Sequence, residues 1–336
     1  MSNRSSLVRL ARLCALTLAF WILLVFTSAT SDVVHLIERD AVHLNQWDTV
    51  RLDERDVETF RIVQSKFGFV FVQVVNHDYL PLVLNWVCGV PSGVLEKTVF
   101  VTSEERMSVA LSRAGLQQCL VPFRQDKLTF GDLTYYRYMM YRTLVVEKLL
   151  KEDVSVWIVE SDATWFADPS FELEHFQGYD ILAGSNQINN GVHELQAGFI
   201  FLNTTDHTRQ LWSTLRKEQQ QQLTSNRHIQ DAGNEMNILQ TLLTHVRFDT
   251  FDRARFVSGQ WYDQCKLANF EVPTVIQNNF IIGNEAKIKR MQKWGHWFLT
   301  KDFTGCPATI RESTEYFLAL LESYDMSLFP NADVCL

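Results

Sequence analysis

The sequence predicts an α/β fold with a Rossmann-like, mostly parallel central sheet flanked by helices, and three observations carry that expectation. Short apolar, β-branched runs recur at Phe67 to Val75, Thr98 to Val101, Cys119 to Val121 and Val154 to Val159. Such near-continuous apolar runs suit strands covered on both faces. Segments of helical spacing separate them, and alternation of strand with helix favours parallel pairing through crossovers. Finally, the chain has 336 residues, 46% hydrophobic and 21% charged, enough for a sizeable core.

Taken in order, residues 30–66 are polar and irregular and read as a stem, with the folded domain spanning 67–336. The first strand ends at Asn76-His77-Asp78. Tyr79 to Val87 then places Leu80, Leu84 and Val87 on one helical side before Gly89, Pro91 and Gly93 break it. Thr102-Ser103-Glu104-Glu105 has the form of a capping box and predicts a helix to about Ala114, stopped by Gly115. Asp132 is a candidate N-cap for a long helix carrying Leu133, Tyr136, Met140 and Leu144. Further strands are expected at Asp180 to Ala183, Gly198 to Leu202 and Val272 to Ile276. Helices are expected near Asp206 to Gln221, Glu235 to Thr244 and Glu285 to Lys293.

Net charge is −8 and no basic block follows the first residues, so the electrostatic footprint of a nucleic-acid binder is missing. Arg4, Arg9 and Arg12 precede an uncharged stretch from Leu13 to Ala29. A basic flank before an apolar segment keeps residues 1–12 in the cytosol and sends the rest across a membrane. Two readings remain open: an uncleaved signal anchor at 13–29, or a signal peptide cleaved near Thr27-Ser28-Ala29 with secretion of the remainder. Both place the bulk in an oxidising lumen. Five cysteines, Cys88, Cys119, Cys265, Cys306 and Cys335, follow that segment, so pairing leaves one over. Asn203-Thr204-Thr205 is a glycosylation sequon.

The stretch from Val156 to Phe166, VWIVESDATWF, is the most informative. An apolar strand ends there in Glu160 and Asp162, whose i, i+2 spacing puts both carboxylates on one face of extended backbone. Ligands of open α/β sheets bind beyond the carboxyl ends of strands. Two hard oxygen ligands at such a place suit Mn²⁺ or Mg²⁺ and leave positions open for phosphate oxygens. A Glu-x-Asp pair alone is a weak signal and equally describes a solvated strand end. The immediate return to apolar sequence at Ala163-Thr164-Trp165-Phe166 favours the ligand.

Trp157 to Pro169 resembles the metal-binding strand end of the nucleotide-diphospho-sugar transferase family, of the GT-A fold. Gln196-Ala197-Gly198-Phe199 resembles that family's strand beside the donor sugar. Val275 to Arg290 followed by Lys293-Trp294-Gly295-His296-Trp297-Phe298 resembles its C-terminal signature. The resemblance implies a metal-dependent glycosyltransferase that moves a sugar from a nucleotide-diphosphate donor to an acceptor hydroxyl on a glycan, glycoprotein or glycolipid. A Golgi membrane protein of type II, with its catalytic domain in the lumen, is the corresponding expectation. Two alternatives from other classes are a catalytically silent nucleotide- or glycan-binding relative and a lumenal interaction protein.

The resemblance also implies roles. Asp162 is the direct metal ligand and Glu160 reaches metal or ribose. Asn76, Arg142, Gln196 and Gly198 join Glu160 as donor-binding candidates, with Arg142 near the diphosphate. His296 is the candidate third metal ligand, because Gln277 stands where some relatives carry His. Glu235, with Asp231 as the alternative one turn earlier, is the candidate acid beside the donor sugar. Lys287, Lys289 and Arg290 form a basic stripe able to attract diphosphate or merely to face solvent.

Overall fold

The computed structural model describes residues 50–123, 128–189, 192–225, 235–263, 273–300 and 306. The apolar segment 13–29 and Asp231 lie outside the described residues, and no helix among the described residues is long and apolar enough to cross a membrane.

The folded unit starts earlier than the sequence suggested. Helix α1, Glu54–Phe67, occupies the last third of the segment read as stem and buries Val57, Phe60 and Val63. Asp53 caps it reciprocally with Asp56, and Gly68 ends it at φ 82°. Its apolar residues are spaced three apart, and dense charges between them hide the stripe from a composition-based reading.

Strand β1 (Val70–Val75) follows, then a 3₁₀ turn His77–Tyr79 and helix α2 (Leu80–Gly89). Next come β2 (Thr98–Thr102), α3 (Glu105–Arg113), β3 (Gln118–Leu120) and the long helix α4 (Leu133–Lys151). Asp132 caps α4 through a bond from Tyr135 N, as expected. The capping box expected before α3 does not form: Glu104 is the N-cap without a side-chain cap bond, while Thr102 Oγ1 accepts from Glu104 N at 3.2 Å. Thr102 is still paired in β2, with its backbone committed to the ladder, so the helix starts two residues later.

Strands β4 (Val156–Val159) and β5 (Ala163–Trp165) bracket the carboxylate pair. Beyond lie β6 (Ile181–Asn189), β7 (Val192–Leu202), α5 (Asp206–Thr224), α6 (Glu235–Leu242), β8 (Phe248–Thr250) and β9 (Phe256–Val257). Strand β10 (Val275–Gln277) and helix α7 (Asn284–Lys293) complete the regular elements. The main sheet has order β3-β2-β1-β4-β7-β6-β8. Only β7 runs against the others, so the sheet is mostly parallel. A second sheet of order β5-β10-β9 takes over the chain where β4 stops.

Aromatic side chains fill the core between these layers. Trp157 stacks on Phe251 at 5.2 Å and meets Phe71 and Phe199 at 5.1 Å, while Trp165 meets Phe71 and Trp86 edge-on. These contacts anchor both strands flanking the Glu-x-Asp segment, so the intervening turn is held at each end. Asn85, buried on α2, pins the C-terminal arm: its Oδ1 accepts from Phe298 N and Leu299 N, and its Nδ2 donates to His296 O. A Cys88–Cys306 disulfide closes the same region. Cys119 is buried and reduced, and burial, the neighbouring Asp56 charge adding to it, pushes its thiol pKa far up.

Candidate functional site

Register places the site. Val159 pairs with Phe199 on antiparallel β7, which sets Gly198 opposite Glu160. Gln277 pairs with Ala163 across β10 and β5, which brings it beside Asp162, and Asn278 N donates to Asp162 O at 3.0 Å. Residues 160–162 are thus a turn between two sheets rather than continued strand, and the carboxylates converge through their neighbours. Gln277 Nε2 donates to Glu160 Oε2 at 2.9 Å and to Asp162 Oδ1 at 3.2 Å. A Cβ on Gly198 would stand 2.5 Å from Gln277 Nε2 and 2.6 Å from Glu160 Oε2, so only glycine permits this approach.

Two cations, Arg142 buried and Lys287 partly so, face the pair. Arg142, on α4, bonds Glu160 Oε1 at 2.8 Å with one guanidinium nitrogen and Glu235 Oε1 with the other. Burial works against the Arg142 charge, but Glu235 and Glu160 outweigh it and hold the guanidinium protonated. Burial pushes the Glu235 carboxyl up from its ordinary range while Arg142 opposes the rise. Lys287, on α7, contacts Asp162 Oδ2 at 2.5 Å. Burial disfavours its charge too, and Asp162 more than restores it. Among the described residues, two cations face three carboxyl groups here, with no surplus positive charge to receive a diphosphate.

The basic stripe expected from sequence therefore divides. Lys287 enters the crevice, Lys289 is exposed and paired with Glu285, and Arg290 bonds Asn278 Oδ1 and Asn279 O, securing α7 to the loop after β10. Asn76 is buried at the end of β1, where its Oδ1 caps the turn by accepting from Tyr79 N at 3.2 Å. Gln196 shares the Gly198 face of β7, yet its amide turns toward β6 and Ser185 O. His296 is fully buried with its ring against Trp261, Phe166 and Tyr262 and Nδ1 at 2.8 Å from the Tyr262 hydroxyl. Burial pushes its pKa down to about 3. Among the described residues no group of three His, Cys, Asp or Glu side chains is arranged to hold a metal ion.

Tyr79 and Tyr135 were not expected here. Burial raises both phenol pKa values, and both sense Glu160 and Arg142; Lys287 also lies 5.9 Å from the Tyr79 ring. A signal existed for Tyr135, which sits two helical turns before Arg142 on α4.

Residues 93–291, more than half of the chain, match the family described as nucleotide-diphospho-sugar transferase. The chain belongs to that family. It is a nucleotide-sugar-dependent glycosyltransferase by class. The transferase is 23% identical over 266 residues to UDP-D-xylose:L-fucose alpha-1,3-D-xylosyltransferase 1 of Arabidopsis thaliana, covering 70% of this chain and 72% of that protein. It is also 23% identical over 217 residues to UDP-galactose:fucoside alpha-3-galactosyltransferase of Dictyostelium discoideum, covering 57% and 33% respectively. A solved structure of the glycosyltransferase GlyE from Streptococcus pneumoniae TIGR4 superposes with a TM-score of 0.44 at 14% identity. That match covers 75% of this chain and 65% of the GlyE chain.

Proposed function

We propose that the transferase moves a sugar from a UDP-sugar to a hydroxyl of a fucose-containing glycan, with Mn²⁺ or Mg²⁺ bound between Glu160 and Asp162. The observation that carries this reading is the convergence of both carboxylates, Lys287 and Arg142 in one partly buried crevice at the end of β4. The named relatives differ in donor sugar, xylose or galactose, and share UDP and a fucosyl acceptor. The acceptor class is accordingly better supported than the donor sugar.

The charge count favours a cation, since among the described residues the crevice has no spare positive charge for a nucleotide diphosphate. The donor set suits a hard divalent ion: Glu160 Oε2 and Asp162 Oδ1 both lie within hydrogen-bond reach of one point, occupied by the Gln277 amide nitrogen. Bound there, the ion would neutralise negative charge gathering on the departing diphosphate. Arg142 keeps Glu160 and Glu235 in place from the α4 side, and Lys287 places an ammonium beside Asp162 Oδ2. Tyr79 and Tyr135 stand within electrostatic reach of Glu160 and Arg142. The N-terminal apolar segment and the Cys88–Cys306 disulfide support a lumenal, membrane-anchored enzyme, Golgi being the corresponding compartment.

A thermal-shift series on the full-length chain tests the reading. UDP at about 100 times its dissociation constant should stabilise the fold by about 2.7 kcal/mol when Mn²⁺ is present. Stabilisation by UDP that ignores Mn²⁺ and EDTA alike would remove the metal from the proposal. No response to any nucleoside diphosphate would remove the donor site.

A further inference from the structure

We infer that Phe280, in the loop between β10 and α7, is the platform on which the acceptor sugar docks, and that its ring selects a deoxy sugar through the methyl group. The inference rests on the fucosyl acceptor proposed above and names the residue that reads it.

The loop leaves the crevice and returns to it. Gln277 Nε2 bonds Asp162 Oδ1 before the loop begins, and Lys287 Nζ meets Asp162 Oδ2 just after it ends. Three residues of chain keep Phe280 within about 11 Å of Gln277, Cα to Cα. Between those ends Phe280 is 52% exposed and Ile282 69%. Exposure alone would carry little weight. The backbone makes it informative: Phe280 has φ 57°, a left-handed conformation that costs a bulky residue and that glycine adopts freely. Asp153 is the other non-glycine residue at positive φ among the described residues, and short polar side chains tolerate it.

Neighbouring groups hold that conformation in place. Asn279 Nδ2 donates to Asn186 Oδ1 on β6 at 2.9 Å, and Asn279 Oδ1 accepts from Gly259 N at 2.5 Å. A Cβ on Gly259 would collide with Asn279 O, which also accepts from Arg290. At the other end of the loop Asn284 Nδ2 donates to Asp78 O at 2.8 Å. An exposed aromatic residue in a strained conformation on a pinned loop gives the core nothing, and such strain persists where a side chain is used.

Topology favours the acceptor over the nucleotide. Crossovers lead from β1 to β2 and β3 on one side while β4 lies on the other, so the switch point, where nucleotides bind, is between β1 and β4. Phe280 follows Asn279, which is tied to β6 beyond β7. The residue thus belongs to the end of the crevice away from the switch point, open to the sugar that receives the transfer. A phenyl ring gives apolar contact and no hydrogen bond, which favours a methyl at C6 and penalises a hydroxyl that would lose its water there.

The test measures initial rates of the full-length chain with UDP-xylose and with UDP-galactose. The acceptors are a methyl L-fucoside and the L-galactoside that differs from it by one hydroxyl on C6. Wild type should prefer the fucoside by roughly tenfold or more in kcat/KM. Phe280→Gly should raise the fucoside KM by roughly tenfold and erase that preference, leaving the UDP-sugar KM and the melting midpoint no worse than wild type. Phe280→Tyr should keep both the low KM and the preference. Should the glycine variant not fold, Phe280→Asn, which also tolerates the left-handed backbone, takes its place. An unchanged fucoside KM in the variant overturns the inference while leaving the transferase reading intact. A rise in the UDP-sugar KM alone would seat the nucleotide on the ring and overturns it equally. A wild type that transfers to neither acceptor from either donor overturns the fucosyl acceptor and this inference together.

Discussion

Two buried polar side chains on the C-terminal part of the fold, Gln277 and His296, have opposite surroundings. Gln277 bonds two carboxylates, whereas the His296 ring packs among aromatic rings with its Nδ1 against the Tyr262 hydroxyl. The division begins one residue apart on β10: Ile276 enters the aromatic pocket with Tyr262 and Trp294, and Gln277 enters the crevice. Alternation along a strand sends neighbours to opposite sides, so a single β10 residue marks the boundary between packing and chemistry. Burial does not distinguish a functional side chain from a structural one; the charges around it do.

The largest expected effect tests how strictly the crevice balances its charges. Arg142→Met leaves Glu235 and Glu160 without their guanidinium, and loss of one buried partner should cost about 3–5 kcal/mol of stability, measured by urea unfolding. A loss below about 1 kcal/mol would mean that Glu235 accommodates neutrally without Arg142, and the contrast with the aromatic pocket would weaken.

Next in size, Asp162→Asn keeps the shape of the side chain but removes its charge. Sugar transfer should fall by roughly 10²–10³-fold, about 2.7–4 kcal/mol of transition-state stabilisation, with thermal stability changed far less. Retained turnover would take Asp162 out of the chemistry.

The smallest effect, taken over a single pH unit, belongs to the aromatic pocket. His296 titrates at about 3 when folded against an ordinary value of 6.5, so between those values the unfolded chain binds the extra proton. Its contribution to stability is complete above pH 6.5 and is lost as pH falls toward 3, at up to about 1.4 kcal/mol per pH unit. Unfolding midpoints from pH 7 to pH 4 should show this slope, and His296→Phe should flatten it. An unchanged slope in that variant would place the titration elsewhere, and equal flattening in Gln277→His would blur the distinction between the two regions.

The sequence by itself indicated most of the strands and helices, the Asp132 cap, the mostly parallel sheet and Glu160 and Asp162 as candidates. These are written locally, in apolar periodicity, in cap residues and in an acidic pair closing an apolar strand. It also placed Arg142 and Glu235 among the candidates, without indicating that they bind each other. Helix α1 escaped notice because its apolar stripe is narrow and charged residues surround it, and the capping box before α3 failed because strand pairing holds Thr102. Tertiary structure alone decided that Lys287 leaves the solvated face of α7 for Asp162, that Gly198 must lack a side chain, and that Gln277 rather than His296 stands with the carboxylates. Each of those outcomes depends on register between strands far apart in sequence, β4 with β7 and β5 with β10. Register follows from how the whole aromatic core packs, which no local pattern encodes.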